Sequence, residues 1–403
     1  MRFPEFHGEW EKCKVSDLLD FYSTNSLSWD QLEYGTDNML NLHYGLIHVG
    51  LPTMVDLSKD ILPAIKKENE PKNFELCKEG DIAFADASED TNEVAKAIEF
   101  YTLEDKAVVC GLHTIHGRDK SNKTVVGYKG YAFSSTAFHH QIRRIAQGTK
   151  IYSISAKNFD ECYIGIPSKE EQTKIAKLLR LIDERIATQS KLIEDLKKLK
   201  SAIIENVFDD KHSERLQLDN VGSYIRGLTY SSNDVVEHGG TLVMRSNNIV
   251  NGSLLDYNNN VVFVNKQMSA EQQLQNGDIV ICMANGSSSL VGKSSFYDGN
   301  WHSPITVGAF CGIYRSKEPI VKWLFQTNKY RRYIWNSLQG GNGAIANLNG
   351  EDILNMSFSI PNAPIKNTCV KMLTSVDSAL ENNISLCALY TLQKQHLLRQ
   401  MFI

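Results

Sequence analysis

Polar and charged residues cluster in loop-prone stretches of both halves of this 403-residue chain. In the first half they are His43, Tyr44, Asp86, Ser88, Lys96, His113, Arg118 and Lys120. In the second half they are Arg245, Asn247, Asn248, Asn285, Ser287, Ser288, Lys293 and Arg315. Arginine and lysine can contact phosphates or the edge of guanine, and asparagine can pair with adenine. Because both halves place such residues after the same Gly-Asp-Ile motif, we predict that they contact DNA.

Motifs of catalysis are missing from these stretches. The segment 284–294 resembles a phosphate-binding loop, but five residues separate Gly286 from Gly292 where that motif needs four. The chain has no Pro-Pro dipeptide, so the Asn/Asp-Pro-Pro-Tyr/Phe motif of amino-methyltransferases is absent. The glycines of 340–343 follow a helical pattern rather than a strand, which argues against a dinucleotide-binding turn. We therefore predict that this chain is not an enzyme.

Metal ligands do not show a recognisable spacing either. The eight cysteines are scattered and form no Cys-x-x-Cys pair. His113 with His116, and His139 with His140, lack nearby cysteine or acidic ligands in a zinc pattern. We predict free thiols and no metal site.

Charge and hydropathy limit the class of protein. The 43 basic and 47 acidic residues give a net charge of −4, whereas a protein that coats DNA without specificity would be strongly basic. A basic surface must therefore be local, or a partner must supply it. No run of about 18 apolar residues predicts a membrane span, and the first residues lack a signal-peptide pattern. We expect a cytoplasmic protein.

The chain contains an internal repeat. The segment 80–85 (Gly-Asp-Ile-Ala-Phe-Ala) aligns with 277–282 (Gly-Asp-Ile-Val-Ile-Cys), an offset of 197 residues. The same offset relates 94–96 to 291–293 and Arg118 to Arg315, and it becomes 194 towards the end of each copy. Loop insertions and deletions would produce such a change. The sequence thus predicts two copies of one unit, each a mixed α/β block followed by a long helix.

Each predicted long helix carries a narrow apolar stripe with heptad-like spacing. The stripe of the first helix is formed by Leu178, Ile182, Ile186, Ile193, Leu196, Ile203 and Val207. In the second helix it is formed by Leu373, Val376, Leu380, Cys387, Tyr390, Leu397 and Met401. Polar residues interrupt the two stripes at matching places, Gln189 and Lys200 in one and Asn383 and Lys394 in the other. About 40 residues make a rod of roughly 55–60 Å, and an apolar seam needs a partner. We predict an antiparallel pair; the alternative is that each helix packs on its own block.

These patterns predict an α+β protein in which two tandem α/β blocks are separated by two long antiparallel coiled-coil-like helices, with a pseudo-two-fold internal repeat. The predicted boundaries are 1–165 and 211–360 for the blocks, and 166–210 and 361–403 for the helices. Strands are expected at 81–85, 106–110, 241–244, 261–264 and 278–283, and helices at 134–146 and 320–338. Ser168 and Glu171 fit a capping box at the start of the first helix.

The run 166–176 (Ile-Pro-Ser-Lys-Glu-Glu-Gln-Thr-Lys-Ile-Ala), followed by Leu179 and 182–183, closely resembles the central region of type I restriction-modification specificity subunits. Similar matches occur at the opening 3–11, in the first block at 44–48, 111–114 and 147–149, and in the second block at 245–249 and 286–293. The second helix departs from the pattern, since Ile365 and Lys366 stand where the first has Glu171 and Gln172.

The resemblance implies that each block is a target recognition domain, which reads one half of a split sequence in double-stranded DNA. The paired helices would set the distance between the half-sites. Members of this family have no catalysis or cofactor of their own. They dock two methyltransferase (M) subunits, which use S-adenosylmethionine, and restriction (R) subunits, which use ATP and magnesium. The alternative function is a coiled-coil scaffold that binds proteins and does not read DNA.

Overall fold

The computed structural model describes residues 1–36, 38–209, 214–338 and 346–402. It divides into two compact units: unit 1 comprises Met1–Lys191 and Ile384–Ile403, and unit 2 comprises Leu192–Asn383. Within the described residues, no helix combines the length and the hydropathy needed to cross a membrane. The glycines of 340–343 lie outside the described residues.

Unit 1 consists of short strands and short helices that precede a long helix. Its strands are β1 (Glu11–Lys14), β2 (Leu19–Tyr22), β3 (Leu32–Glu33), β4 (Leu40–Leu42), β5 (Met54–Asp56), β6 (Ala64–Ile65), β7 (Ile82–Ala85), β8 (Ala87–Ser88), β9 (Ala97–Thr102), β10 (Val108–Cys110), β11 (Thr114–Asp119), β12 (Tyr152–Ser153) and β13 (Tyr163–Ile166). Its helices are α1 (Val15–Leu18), α2 (Tyr44–His48), α3 (Lys129–Phe133), α4 (Thr136–Ile145) and the first part of α5 (Lys169–Val207).

Unit 2 has a similar order of elements. Its strands are β14 (Glu214–Gln217), β15 (Gly222–Arg226), β16 (Val235–Val236), β17 (Thr241–Met244), β18 (Val262–Val264), β19 (Ile279–Cys282), β20 (Ala284–Asn285), β21 (Ser294–Phe296), β22 (Ile305–Val307), β23 (Cys311–Ser316), β24 (Ala346–Asn347) and β25 (Ser357–Ile360). Its helices are α6 (Leu218–Val221), α7 (Val321–Leu324), α8 (Asn328–Leu338), α9 (Gly350–Leu354) and the first part of α10 (Ala363–Gln400), whose last residues belong to unit 1.

The two largest sheets of each unit include fully buried strands. In unit 1 their orders are β2-β11-β7-β9-β5 and β10-β4-β6-β3, and in unit 2 they are β15-β23-β19-β21 and β16-β18-β17-β22. Each unit also has two sheets of two strands: β1-β13 and β12-β8 in unit 1, and β14-β25 and β20-β24 in unit 2. The continuous apolar runs of β7 and β19 are buried on both faces. The parallel pairs β4–β10 and β17–β22 are important for the site, because they place the carboxyl ends of two strands at one edge.

Two predicted helical features differ in the structure. The predicted helix at 320–338 is wrong as a single element, because it is divided into α7 and α8. The break occurs at Thr327, whose hydroxyl donates to the Leu324 carbonyl at 2.8 Å and accepts the Tyr330 amide at 3.0 Å. At the start of α5, the Ser168 hydroxyl accepts the Glu171 amide at 3.3 Å. The Glu171 carboxylate instead pairs with Arg2 at 2.7 Å, so only half of the predicted capping box forms.

Segments of both long helices, α5 and α10, contribute to each core. In unit 1, Ile182 of α5 and Leu397 of α10 belong to one cluster with Phe402, and Leu178 and Ile186 pack against it. In unit 2, Leu373 of α10 shares a cluster with Ile204 and Val207 of α5, and Ile203 packs against it. The other predicted seam residues, which are Ile193, Leu196, Val376, Leu380 and Tyr390, are buried or half-buried. Each core also includes the sheet and short helices of its own block, as the alternative interpretation expected.

Two of the four predicted polar interruptions of the stripes, the lysines, form ion pairs. In unit 2 the Lys200 ammonium lies 2.7 Å from the Asp377 carboxylate. In unit 1 the Lys394 ammonium lies 2.6 Å from the Asp183 carboxylate. Each pair joins a lysine of one long helix to an aspartate of the other, and the two pairs are related by the 194-residue offset.

Candidate nucleic-acid interface

Unit 1 brings several of the predicted contact residues to one edge. His43 and Tyr44 follow β4, and His113 lies in the turn after the parallel strand β10, so both loops leave the sheet at the same end. The ring centres of His43 and Tyr44 are 4.7 Å apart, and those of Tyr44 and His113 are 5.2 Å apart. Half of the His113 side chain is exposed. His43 is only 3% exposed and supports its neighbours from below, so the aromatic surface that could stack on bases or pack on thymine methyl groups is presented by Tyr44 and His113.

Two residues that the sequence analysis missed extend this surface. The Trp29 ring centre is 4.4 Å from that of His43, and Trp29 is 45% exposed. The His48 ring lies 6.0 Å from Tyr44, and its Nε2 is 3.0 Å from the Ala87 carbonyl oxygen. A tryptophan between Ser28 and Asp30, in a loop-prone stretch, is the signal that could have identified the first of these residues.

Asp86, Ser88 and Lys96 lie beside the aromatic surface. The Nδ1 of His113 is 3.1 Å from the Asp86 carboxylate, and burial raises the pKa of Asp86 although His113 partly offsets this effect. Ser88 lies in β8 and its hydroxyl accepts an amide hydrogen of the following turn. The Lys96 ammonium donates to the His48 carbonyl at 3.0 Å and therefore fixes the end of α2. The edge thus carries both acceptors and donors.

The corresponding edge of unit 2 forms a cleft of about 360 Å³. Arg245 and Asn247 follow β17, while Phe310 lies in the turn after the parallel strand β22. Phe310 is 66% exposed, which is unusual for so large an apolar side chain. Asn285 lies next to the cleft, with its amide nitrogen 3.5 Å from the Ser246 hydroxyl. A base edge could meet an aromatic ring, an amide and a guanidinium here.

A second cleft of unit 2, of about 220 Å³, is lined by two more of the predicted contact residues. Ser288 and Lys293 line it together with Arg331 and the 65% exposed Trp335. Ser287 lies in the adjoining turn, where its amide donates to the Asn285 side chain at 3.0 Å. Arg331 and Trp335 were not identified from the sequence, because the stretch 320–338 was predicted only as a helix.

Three predicted contact residues are engaged inside the protein instead. Arg118 donates to Asp81, Glu75 and the Leu76 carbonyl, and the equivalent Arg315 donates to Asp278 and the Gln273 carbonyl. Asn248 is fully buried, and its amide donates to the carbonyls of Asp256 and Asn259. Their positions do not support a contact with DNA, because their polar atoms already hold loops of the fold.

The two units present different side chains at equivalent positions. The Asp86 amide donates to the His113 carbonyl at 3.1 Å, and the Met283 amide donates to the Phe310 carbonyl at 2.8 Å. His113 of unit 1 therefore corresponds to Phe310 of unit 2. In the same way β8 corresponds to β20, so Ser88 of unit 1 is the equivalent of Asn285 of unit 2. One scaffold thus displays two chemically distinct edges.

This fold defines a class of proteins with two similar α/β units, each of which exposes polar and aromatic side chains at one edge of a sheet. Residues 8–198 match the family described as the type I restriction modification DNA specificity domain. Over 100% of this chain and 99% of the other, the fold is similar to that of the type I restriction-modification system S subunit from M. genitalium, with a TM-score of 0.61 and 15% identity.

Two relatives from Escherichia coli (strain K12) and Salmonella potsdam share sequence as well. The chain is 35% identical over 155 residues to the type I restriction enzyme EcoKI specificity subunit, and 34% identical over 153 residues to the StySPI specificity subunit. Each match covers 36% of this chain and 31% of the relative, so the chain spans about a third of the length of the curated relatives it matches. These comparisons confirm the resemblance to type I specificity subunits.

Proposed function

We propose that this chain is the DNA sequence-recognition subunit of a type I restriction-modification complex. It reads a bipartite target, with one half-site for each unit. The observation that carries this proposal is the pair of equivalent edges with different side chains, since a similar scaffold with His113 in one copy and Phe310 in the other can read two different half-sites. Base contacts in a groove specify sequence, and stacking or apolar contacts add to them.

The long helices have a separate role in this proposal. We propose that α5 and α10 form an antiparallel coiled-coil-like pair related by a pseudo-two-fold repeat, and that this pair sets the spacer between the half-sites. The ion pairs Lys200–Asp377 and Lys394–Asp183 support the pairing. Four residues inserted in each helix add about 6 Å, so the spacer should lengthen by about two base pairs.

The partners and cofactors follow from the relatives and remain part of the proposal. The chain would dock two methyltransferase subunits and then restriction subunits on double-stranded DNA, in the cytoplasm. S-adenosylmethionine, ATP and magnesium would bind to those subunits, and this chain would be non-catalytic. A net charge of −4 is consistent with partners that supply much of the positive charge needed along the phosphates.

Methylome sequencing tests the reading function. Exchanging residues 1–165 for the block of another specificity subunit should change one half of the methylated sequence and leave the other half unchanged. If both halves change, the half-site assignment is wrong. If the complex assembles and the methylated sequence stays the same after the exchange, residues 1–165 do not read DNA and the protein-interaction scaffold is the better interpretation.

Point variants give a sharper test with a control inside the same chain. Phe310→Ala should weaken recognition of one half-site by about 1–3 kcal/mol and relax its sequence. His113→Ala should do the same for the other half-site only. Each variant is the matched control of the other, because the two residues occupy equivalent turns. A variant that relaxes both half-sites equally would contradict the proposal.

A further inference from the structure

Unit 1 also contains a buried group of metal-ligating side chains that are not part of the aromatic surface. The sulfur atoms of Cys77 and Cys110 and a ring nitrogen of His116 all lie within 4.8 Å of one another. The three residues are 6%, 2% and 0% exposed, respectively. Cys110 ends β10, His116 lies in the middle of β11, and the Cys77 amide donates to the Val108 carbonyl of β10 at 2.8 Å. The fold therefore joins residues that are far apart in sequence.

The histidine of this group is oriented as a metal ligand. Its Nε2 lies 2.7 Å from the Asp81 carboxylate, which fixes the ring and leaves Nδ1 as the free nitrogen. That Nδ1 is buried and has no hydrogen-bond partner. An unpartnered buried nitrogen costs free energy, and a histidine held by a carboxylate on its other nitrogen is the usual arrangement at metal centres.

The distance between the two sulfur atoms suits two ligands of the same metal ion. They are 3.6 Å apart, which is far longer than the roughly 2.0 Å of a disulfide. Two thiolates bound to zinc at about 2.3 Å in tetrahedral geometry are about 3.8 Å apart. Two thiolates, a neutral imidazole and a divalent cation also sum to zero charge, and Arg118 neutralises Asp81 beside them. Such a centre avoids the cost of an unpaired buried charge.

Unit 2 shows that the fold does not require these polar groups. The equivalent backbone bond there runs from the Leu274 amide to the Ile305 carbonyl at 3.0 Å, and the aspartate–arginine pair is kept as Asp278–Arg315. At the positions of the two cysteines and the histidine, unit 2 has Leu274, Val307 and Ile313, which pack in one apolar cluster. The cysteines and histidine of unit 1 therefore need an explanation other than the architecture.

We propose that Cys77, Cys110 and His116 form a zinc site in unit 1, with Asp81 orienting the histidine. The three protein ligands leave a fourth position for water or a small solute. The ion would connect the segment before β7 to β10 and β11, and so stabilise the strand whose end carries His113. This site is independent of the proposed function of the chain.

The test uses the full chain without a polyhistidine tag. Elemental analysis of the purified protein should find about one zinc per chain. Because the ligands are buried, the ion enters during folding, so the reduced chain is also refolded with Co²⁺ alone. We expect a thiolate-to-cobalt charge-transfer band and visible bands of tetrahedral cobalt, together with a higher melting temperature than in the metal-free protein.

Variants that carry the apolar residues of unit 2 at these positions provide the control for folding. The triple variant Cys77→Leu, Cys110→Val and His116→Ile should fold and bind no Co²⁺, whereas Cys162→Ala, which alters another buried thiol of unit 1, should keep full binding. The proposal is overturned if the native chain contains no zinc as purified and the reduced chain takes up no Co²⁺ during refolding. It is also overturned if the triple variant retains the cobalt spectrum. Isolation of the chain with a Cys77–Cys110 disulfide and no metal would also overturn it.

Discussion

Removing the carboxylate of Asp377 should destabilise unit 2 strongly. The carboxylate pairs with Lys200 at 2.7 Å and Lys322 at 2.8 Å, and it accepts the Trp323 indole hydrogen at 3.1 Å. The Lys200 and Asp377 side chains are 9% and 8% exposed. Burial lowers the pKa of Lys200, and Asp377 offsets part of that effect. Removing one member of a buried pair leaves an uncompensated charge and costs about 3–5 kcal/mol, so we expect Asp377→Ala to cost about 4 kcal/mol.

The equivalent pair of unit 1 is the matched comparison. The Asp183 and Lys394 side chains are 20% and 19% exposed, so water replaces more of the lost interaction when Asp183 is removed. We expect Asp183→Ala to cost about 2 kcal/mol, between the values for buried and exposed pairs. The double variant Lys200→Met with Asp377→Leu should recover part of the stability, because an apolar pair of similar volume is often as stable as a buried ion pair. The recovery should be incomplete, since Lys322 and the Trp323 indole lose the same acceptor.

Urea unfolding of the full chain, followed by circular dichroism and tryptophan fluorescence, measures these differences. A loss of less than about 1 kcal/mol in Asp377→Ala would place the pair in the range of exposed salt bridges and refute the buried contact between α5 and α10 in unit 2. Equal losses in the Asp377 and Asp183 variants would show that burial does not decide the magnitude.

Two further predictions concern buried ionisable groups of unit 1. Burial lowers the pKa of His139 to about 4 from its usual 6.5, so the unfolded chain takes up the proton first as the pH falls. The free energy of unfolding should have its full value above about pH 6.5 and should decrease by about 3 kcal/mol towards pH 4. The urea midpoint should lose this dependence on pH in His139→Gln and keep it in His140→Gln. Glu99 is fully buried, and its carboxylate lies 3.3 Å from the Lys129 ammonium. Lys129→Met should cost about 3–5 kcal/mol in thermal unfolding. Adding Glu99→Gln should restore only part of it, because the amide oxygen can replace only one of the two carboxylate oxygens that accept the Gly127 and Gly130 amides. A Lys129→Met protein as stable as the parent would argue against the pair.

The sequence predicted the elements whose signal is local and periodic. The stripe of α5 and α10 is a repeated spacing along one chain, and the buried strands β7 and β19 are continuous apolar runs between turn residues. The positions of Ala95 and Gly292 show the repeat at the level of backbone, since both have positive φ, of 58° and 82°. The division of the predicted 320–338 helix was not predictable, because it depends on the hydroxyl of Thr327 and the packing around it.

The candidate site could be predicted only in part from the sequence. The sequence predicted His43, His113, Arg245 and Asn285 in loop-prone stretches, and in the structure Asn285 lies in the two-residue strand β20 while the His43 side chain is buried. The sequence could not tell a free side chain from one engaged inside the fold. Arg315 resembles a DNA contact as an isolated residue, and only its ion pair with Asp278 reveals a structural role.

By itself, the sequence determined that this chain contains two related α/β blocks and two long apolar-striped helices, because repeats and periodicity are properties of residue order. The tertiary structure decided which side chains meet. Parallel pairing of β4 with β10 brings Tyr44 to His113, and the antiparallel bridge between Leu76 and Val109 brings Cys77 to Cys110. Contacts between residues distant along the chain depend on strand pairing and register, and neither leaves a signal in local composition.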